Sequence, residues 1–130
     1  MNQRFDVLLV DDDPHYLNLM QSILKGHGLM IQTASNGEEA LKHLELGYCD
    51  LLVTDLFLPM SNGLELSKKA YLKMPVVVVA KEDESGSFDV NIGHYSHCFL
   101  DKKKLETHLV RACDKARERF GNKGKGLAAA

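Results

Sequence analysis

Three short runs of apolar residues limit what this chain can fold into. The runs occupy residues 7–10, 51–53 and 76–80, they are rich in Val and Leu, and each ends at a charged or polar residue. Apolar runs that do not alternate with polar residues are typical of strands buried on both faces, as in a parallel sheet covered by helices. The runs therefore predict the inner strands of such a sheet.

Helical patterns separate these runs. After Asp13 and Pro14, which suit the N-cap and the first position of a helix, apolar residues recur at helical spacing until Gly26. Further helices are predicted over residues 38–46, after residue 63 and over residues 103–119, with further strands at 30–34 and 97–100. Strands that alternate with helices predict an α/β domain with a doubly wound, five-stranded parallel sheet.

Two segments do not fit the alternating pattern well. Residues 82–96 contain two glycines and few strong helix formers, so we expect any fourth helix to be irregular. Residues 121–130 are rich in glycine and end in three alanines, which indicates a disordered tail or a remnant of cloning. We therefore expect one domain over residues 1–120.

Composition excludes several classes of function. The 130 residues carry a net charge of −2, so no basic surface for nucleic acid is expected in this domain, and no apolar run approaches the length of a membrane span. Three cysteines, Cys49, Cys98 and Cys113, lack ligand spacing and are expected to be reduced thiols in a cytoplasmic protein. The six histidines also lack ligand spacing, and we expect them at the surface.

Charged residues follow the predicted strands at positions that should converge. Asp11 and Asp12 follow the first strand, Asp55 the third and Lys102 the fifth. The carboxyl ends of parallel strands form the usual binding edge of such a sheet, and three carboxylates there would suit Mg²⁺. Each residue taken separately also fits an ordinary role in capping, in a turn or on a solvated surface. The combination favours a metal site.

The motifs resemble those of response-regulator receiver domains of the CheY-like, flavodoxin-like type. They are VLLVDDDP at residues 7–14, LLVTDLFLPMSNGLEL at 51–66, PVVVVA at 75–80 and FLDK at 99–102. Pro59 and Gly63 stand four and eight residues after Asp55, in the register of that family. The resemblance covers about residues 5–118, and it implies a (βα)5 three-layer sandwich with strand order 2-1-3-4-5.

The resemblance also implies roles for individual residues. Asp55 matches the phosphoacceptor and Lys102 matches the invariant lysine. Asp11, Asp12 and Asp55, with the backbone carbonyl of Phe57, match the site that holds Mg²⁺ or Mn²⁺. The implied partner is a histidine kinase or a histidine phosphotransfer protein. Such a domain is not an enzyme, although it assists its own phosphorylation and dephosphorylation.

The chain departs from the family at the positions that respond to phosphorylation. The switch position that usually carries Thr or Ser is Ala80, which cannot donate a hydrogen bond, and the aromatic switch position is Phe99. The next residue, Lys81, would either meet a phosphoryl oxygen or point to solvent, and we expect solvent. Lys103 replaces the usual Pro, so we expect a trans Lys102–Lys103 bond.

Two further expectations concern loss of phosphate and output. Phe57 and Glu82 match positions that tune dephosphorylation by water, and the apolar Phe57 predicts slow autodephosphorylation. Homodimer or effector contacts are expected through the face formed by the fourth helix, fifth strand and fifth helix.

Two other functions compete with the leading one. A pseudo-receiver would keep the fold and signal by contacts without phosphorylation, which Ala80 and Lys103 favour and the intact acidic set opposes. A Mg²⁺-dependent aspartyl phosphatase would usually carry a second Asp two residues after the nucleophile, where this chain has Phe57.

Overall fold

The computed structural model describes residues 4–47, 49–58, 63–81 and 92–125, and of residues 92 and 122–125 the backbone only. Strands and helices alternate along the chain, and a 3₁₀ turn at Lys102–Lys104 precedes the last helix. The elements are β1 (Val7–Val10), α1 (Pro14–Lys25), β2 (Ile31–Ala34), α2 (Gly37–Leu46), β3 (Leu52–Asp55), α3 (Gly63–Ala70), β4 (Val76–Ala80), α4 (Ile92–Tyr95), β5 (Cys98–Asp101) and α5 (Leu105–Lys125).

The five strands form one parallel sheet, as the alternating pattern predicted, and their order β2-β1-β3-β4-β5 is the one that the family resemblance implied. Because strand order reverses between β1 and β3, a crevice is expected at their carboxyl ends. Val10 of β1 pairs with Thr54 of β3, and Asp55 pairs with Val79 of β4. The register therefore brings the ends of β1, β3 and β4 to one edge of the sheet.

Helices cover both faces of the sheet and give the predicted three layers. Alternate strand residues face opposite sides, so the sheet contributes to two separate cores. One core packs against α2 and α3 and includes Leu8, Val10, Leu52, Val76, Val78, Ala80, Leu66 and Ala70. The other packs against α1 and α5 and includes Val7, Leu9, Val53, Val77, Val79, Leu100, Met20, Leu24 and Leu109.

The start of α1 follows the sequence prediction. Asp13 is the N-cap, its carboxylate accepts a hydrogen bond from the His15 N–H at 2.9 Å, and Pro14 occupies the first helical position. Asp13 thus stabilises the helix that starts immediately after the acidic pair.

The last helix differs from the prediction at both ends. It begins at Leu105 after the 3₁₀ turn and continues to Lys125, whereas residues 103–119 were predicted. The domain boundary at residue 120 stays a prediction. Once a helix is nucleated, each added residue gains a hydrogen bond at low cost, which offsets the poor propensity of the glycines. Of the irregular segment expected at 82–96, the structure describes α4 (Ile92–Tyr95), a single turn; residues 82–91 lie outside the described ranges.

The expectation that the histidines lie at the surface is wrong for His97. His97 is 6% exposed, and its Nδ1 accepts a hydrogen bond from the Val76 N–H at 2.9 Å. Arg119 of α5 donates to the His97 carbonyl at 2.8 Å. These two hydrogen bonds connect the start of β4 to α5 through His97. The ring nitrogen supplies the acceptor that the buried Val76 N–H needs.

The cysteines are free thiols in different surroundings. Cys49 and Cys113 are buried, and burial raises the pKa of Cys49 to about 11 and that of Cys113 to about 12. Cys98 in β5 is partly exposed. Among the described residues, we find no helix with the length and apolarity needed to cross a membrane.

Candidate functional site

The carboxyl ends of β1, β3 and β5 bring Asp11, Asp55 and Lys102 together. Lys102 Nζ lies 2.7 Å from Asp11 Oδ2 and 3.0 Å from Asp55 Oδ2, so one ammonium group bridges two carboxylates. Asp11 and Asp55 follow residues that pair in register, while Lys102 follows the last residue of β5. The predicted convergence of these three residues is therefore present.

Burial and charge set the protonation behaviour of this group. Asp11 is fully buried, Asp55 is 5% exposed and Lys102 is 8% exposed. Burial, together with the negative charge of Asp11, raises the pKa of Asp55 to about 6 against the opposing effect of Lys102. Burial lowers the pKa of Lys102, but its bonds to Asp11 and Asp55 outweigh that effect and raise it. Lys102 is therefore charged at neutral pH.

A third carboxylate completes a group with the chemistry of a divalent cation site. Oxygens of Asp11, Asp12 and Asp55 all lie within 4.8 Å of one another, and Asp12 is exposed to solvent. Hard oxygen ligands suit Mg²⁺, and Lys102 offsets only part of the negative charge of three carboxylates. The donor set and its unbalanced charge therefore fit a divalent cation.

Backbone hydrogen bonds hold the loop that follows Asp55. The Phe57 N–H donates to Asp55 Oδ1 at 3.2 Å, and the Leu56 N–H donates to the Val79 carbonyl at 2.8 Å. The Phe57 side chain is 41% exposed. Asp55 thus has one oxygen held by Lys102 and the other by the loop, while the metal-binding role of the Phe57 carbonyl stays a prediction.

Gly63 brings the start of α3 against the end of β3. Its N–H donates to the Leu56 carbonyl at 2.8 Å, and a Cβ added at Gly63 would lie 2.1 Å from the Asp55 carbonyl oxygen. That distance is far below any allowed contact, so the close approach requires glycine. Pro59, the other residue of the motif, lies outside the described residues.

Sequence reasoning missed Tyr16 and gave Lys81 the wrong surroundings. Lys102 Nζ lies 4.3 Å from the centroid of the Tyr16 ring, and Lys81 Nζ lies 4.9 Å from the same centroid. Cation–π contacts of this kind are worth about 0.5–2 kcal/mol. The expectation that Lys81 points simply to solvent is therefore wrong. One signal was available, because Tyr16 lies in the first turn of the helix that starts beside the strand ends.

The remaining sequence-predicted positions lie around this cluster. Ala80 is fully buried at the end of β4, and Phe99 packs at the edge of the core under α2 and α3. The Lys103 N–H donates to Asp101 Oδ1 at 3.0 Å, and no cis peptide bond occurs in the described ranges, so the Lys102–Lys103 bond is trans as predicted. Glu82 lies outside those ranges.

Comparison with known proteins identifies the family of the chain. Residues 7–114 match the response regulator receiver domain family. The chain belongs to that family. It is thus a receiver domain of the kind found in two-component response regulators. Receiver domains are in general signalling domains without enzymatic activity, and they interact with histidine kinases or phosphotransfer proteins.

Relatives of this receiver domain occur in longer proteins and as short ones. It is 38% identical over 96 residues to the alkaline phosphatase synthesis transcriptional regulatory protein PhoP of Bacillus subtilis (strain 168), covering 72% of this chain and 38% of that protein. It is 28% identical over 134 residues to the two-component response regulator ARR17 of Arabidopsis thaliana, covering 85% and 88% of the two chains. The chain spans 38% and 25% of the length of the first two curated relatives it matches.

Solved structures support the fold. The CheY-like response regulator receiver domain protein from Methanospirillum hungatei JF-1 superimposes with a TM-score of 0.73 at 23% identity, over 96% of this chain and 100% of that chain. At this identity the likeness concerns the fold.

Proposed function

We propose that this receiver domain accepts a phosphoryl group on Asp55 from a phosphohistidine of a histidine kinase or phosphotransfer protein. The observation that carries the proposal is the Asp55 carboxylate, which is buried at the end of β3 and accepts a hydrogen bond from Lys102 at 3.0 Å. A pKa of about 6 leaves this carboxylate mostly ionised at neutral pH and therefore nucleophilic. These properties support a phosphoacceptor.

The proposed step is a transfer between two proteins. An oxygen of the Asp55 carboxylate forms a bond to phosphorus while the bond between phosphorus and the donor imidazole nitrogen breaks. The imidazole nitrogen keeps the electron pair and then takes a proton from solvent. Lys102, which is held between Asp11 and Asp55, is placed to neutralise charge on the oxygens of the group in transfer.

The carboxylates of Asp11, Asp12 and Asp55, with the backbone carbonyl of Phe57, would hold Mg²⁺ or Mn²⁺ in this proposal. The ion, when bound, supplies positive charge next to the phosphoryl oxygens. The grouping of three carboxylate oxygens within 4.8 Å supports the assignment.

Loss of the phosphoryl group to water is proposed to be slow. The partly exposed Phe57 side chain stands two residues after Asp55 and cannot hydrogen-bond an attacking water. We expect a phosphorylated half-life of minutes or longer, and we expect Phe57→Asn to shorten it. Intact-mass measurements over time after removal of the donor check this, and a wild-type half-life of seconds would contradict it.

Output is proposed to use the face formed by α4, β5 and α5, through an effector or a second copy of the chain. β5 is the last strand of the sheet, so its outer edge is open to pairing in the described residues. A groove of about 400 Å³ runs between this strand and α5. Its lining is mostly basic on the helix side and includes Phe99, Asp101, Lys104, His108, Arg111 and Lys115.

A pseudo-receiver is the second candidate, and fully buried Ala80 is the observation that favours it. Its methyl group offers no hydrogen-bond donor to a phosphoryl oxygen. In that case the fold and a cation site are kept while phosphorylation is lost. The intact set of Asp55 and Lys102 favours the phosphoacceptor.

One experiment separates the two candidates. Purified protein is incubated with Mg²⁺ and acetyl phosphate, and intact mass is measured for wild type and Asp55→Asn. We expect an adduct of about 80 Da, the mass of the added phosphoryl group, in wild type and none in the variant. Absence of the adduct in wild type at saturating donor, together with no response to beryllofluoride, would overturn the phosphoacceptor proposal.

A further inference from the structure

Lys81 and Lys102 leave the sheet side by side. Ala80, the last residue of β4, pairs with Asp101, the last residue of β5, and each lysine is the next residue along its chain. Neighbouring parallel strands in register present successive residues at the same height. The two lysines therefore start from adjacent positions at the binding edge.

Their side chains also leave on the face that carries the nucleophile. Val79 and Leu100, two residues before the respective lysines, both pack in the core under α1 and α5. Strand alternation then directs Lys81 and Lys102 to that same face. Asp55, the proposed nucleophile, pairs with Val79, so it lies on this face at the level of the residue two positions before Lys81.

The ammonium groups of both lysines contact the Tyr16 ring. Lys102 Nζ and Lys81 Nζ lie 4.3 Å and 4.9 Å from its centroid. Lys102 also touches Asp55, so the ring of Tyr16 contacts the cation that binds the phosphoacceptor. A hydrogen bond between an ammonium group and a doubly charged phosphoryl group is stronger than a cation–π contact, so a phosphoryl group would compete with the Tyr16 ring for Lys81.

Phosphorylation would leave the site short of a donor. A phosphoryl group carries close to two negative charges and three strong acceptor oxygens. Lys102 already bridges Asp11 and Asp55, and buried Ala80 has no polar side-chain atom. Lys81 is a second cation at this edge, on a flexible stem with rotatable donors.

We propose that Lys81 is a second phosphoryl-binding residue, which leaves the Tyr16 ring when Asp55 is phosphorylated and donates a hydrogen bond to a phosphoryl oxygen. It thereby replaces the hydroxyl that Ala80 lacks. Because Tyr16 lies in the first turn of α1, the change of contact reports phosphorylation to α1. The inference rests on the proposed function of Asp55.

The test measures the affinity for beryllofluoride, a phosphoryl mimic, at saturating Mg²⁺. Lys81→Met keeps most of the length of the side chain and removes the charge, and Lys81→Arg keeps the charge. We expect Lys81→Met to weaken binding about tenfold and Lys81→Arg to bind within about threefold of wild type, since a charge-assisted hydrogen bond is lost in the first and kept in the second. The double variant Ala80→Thr with Lys81→Met restores a hydroxyl, and we expect it to recover most of the loss.

Lys68→Met is the matched control. Lys68 on α3 lies with its Nζ 5.3 Å from the centroid of the Tyr95 ring, so this substitution removes the same charge and the same kind of aromatic contact elsewhere. We expect its affinity for beryllofluoride to equal that of wild type. Ring-proton shifts of Tyr16 give a readout that a merely structural role would not move, and they should change on saturation more in wild type than in Lys81→Met, where only the contact with Lys102 remains.

The outcomes separate the inference from the function on which it rests. If wild type binds beryllofluoride and Lys81→Met binds equally well, the role of Lys81 is overturned while Asp55 keeps its proposed function. A lower melting temperature for Lys81→Met with unchanged affinity also overturns the inference, because the contact with Tyr16 would then be structural. If wild type takes neither acetyl phosphate nor beryllofluoride, the proposed function fails and the inference fails with it.

Discussion

The binding edge of this receiver domain and its proposed output region, represented here by Phe99 of β5 and by Lys103 in the turn that follows it, are built in different ways. At the binding edge, Asp11, Asp55 and Lys102 are buried and Lys102 contacts both carboxylates, so the role of each residue depends on the others. In the output region, Phe99 packs on the core and the Lys103 N–H bonds to Asp101, in separate contacts. Substitutions at the binding edge should therefore lower the free energy of unfolding strongly and affect one another. Substitutions in the output region should have small and independent effects on it.

The largest expected effect is that of Lys102→Met. Removal of the ammonium group leaves Asp11 and Asp55 buried without their counter-ion, which typically costs about 3–5 kcal/mol of unfolding free energy. We expect that loss in urea denaturation without divalent cations, and a smaller loss in millimolar Mg²⁺, since bound Mg²⁺ stabilises the folded state. Lys68→Met serves as the control for a surface lysine. An equal loss with and without Mg²⁺ would show that the cluster holds no such ion.

Gly63→Ala tests the backbone support of the same edge. The added Cβ would lie 2.1 Å from the Asp55 carbonyl oxygen, so α3 must move away, at a cost of about 3 kcal/mol. Gly93→Ala in α4 is the matched control, because among the described residues no atom beyond the chain neighbours and the backbone of this helix lies within 4 Å of a Cβ added there. Urea denaturation measures both variants, and similar stabilities would contradict the close contact.

Asp55→Asn should stabilise the metal-free protein. The ordinary pKa of this carboxyl is 3.8 and the folded value is about 6, so between those values the folded state binds more protons and its stability falls as pH rises. Asparagine avoids this loss. We expect the variant to melt about 5 °C higher at pH 8 in chelator, with the difference vanishing near pH 4.

The control for that measurement is Mg²⁺ itself. Added Mg²⁺ should raise the melting temperature of wild type and leave that of Asp55→Asn much less changed. A wild type that melts higher than Asp55→Asn at pH 8 without metal would contradict the raised pKa.

The smallest expected effect belongs to the output region. Lys103→Pro restores the residue typical of the family but removes the N–H that donates to Asp101 Oδ1 at 3.0 Å. We expect a loss of about 1 kcal/mol in urea denaturation. Lys103→Ala keeps the N–H and should change stability by less than about 0.5 kcal/mol. If Lys103→Pro were more stable than wild type, the turn would have a backbone that accepts the proline typical of the family, and the bond to Asp101 would contribute little.

The convergence of the acidic set could be predicted because it depends on strand ends alone. Short apolar runs mark where parallel strands finish, and the residues that follow meet at one edge. Asp11, Asp55 and Lys102 were placed together on this basis, and the cap formed by Asp13 followed from local chemistry. The roles of these residues in phosphorylation stay predictions.

Contacts that depend on side-chain conformation or on exact register could not be predicted. The contact of Lys81 with the Tyr16 ring depends on the conformation of a long side chain, which the position of Tyr16 in the first turn of α1 does not determine. His97 is buried because the Val76 N–H, at the start of a neighbouring strand, needs an acceptor. Such a pairing becomes visible only when the register of β4 and β5 is known.

The unequal surroundings of the three cysteines make the domain convenient to label. The thiolate is the form that reacts with maleimides, and the raised pKa values of Cys49 and Cys113, about 11 and 12, keep these buried thiols protonated. A limiting amount of reagent should therefore modify Cys98 first. A fluorophore would then stand on β5 of the unmutated protein, where its emission could follow partner docking in real time.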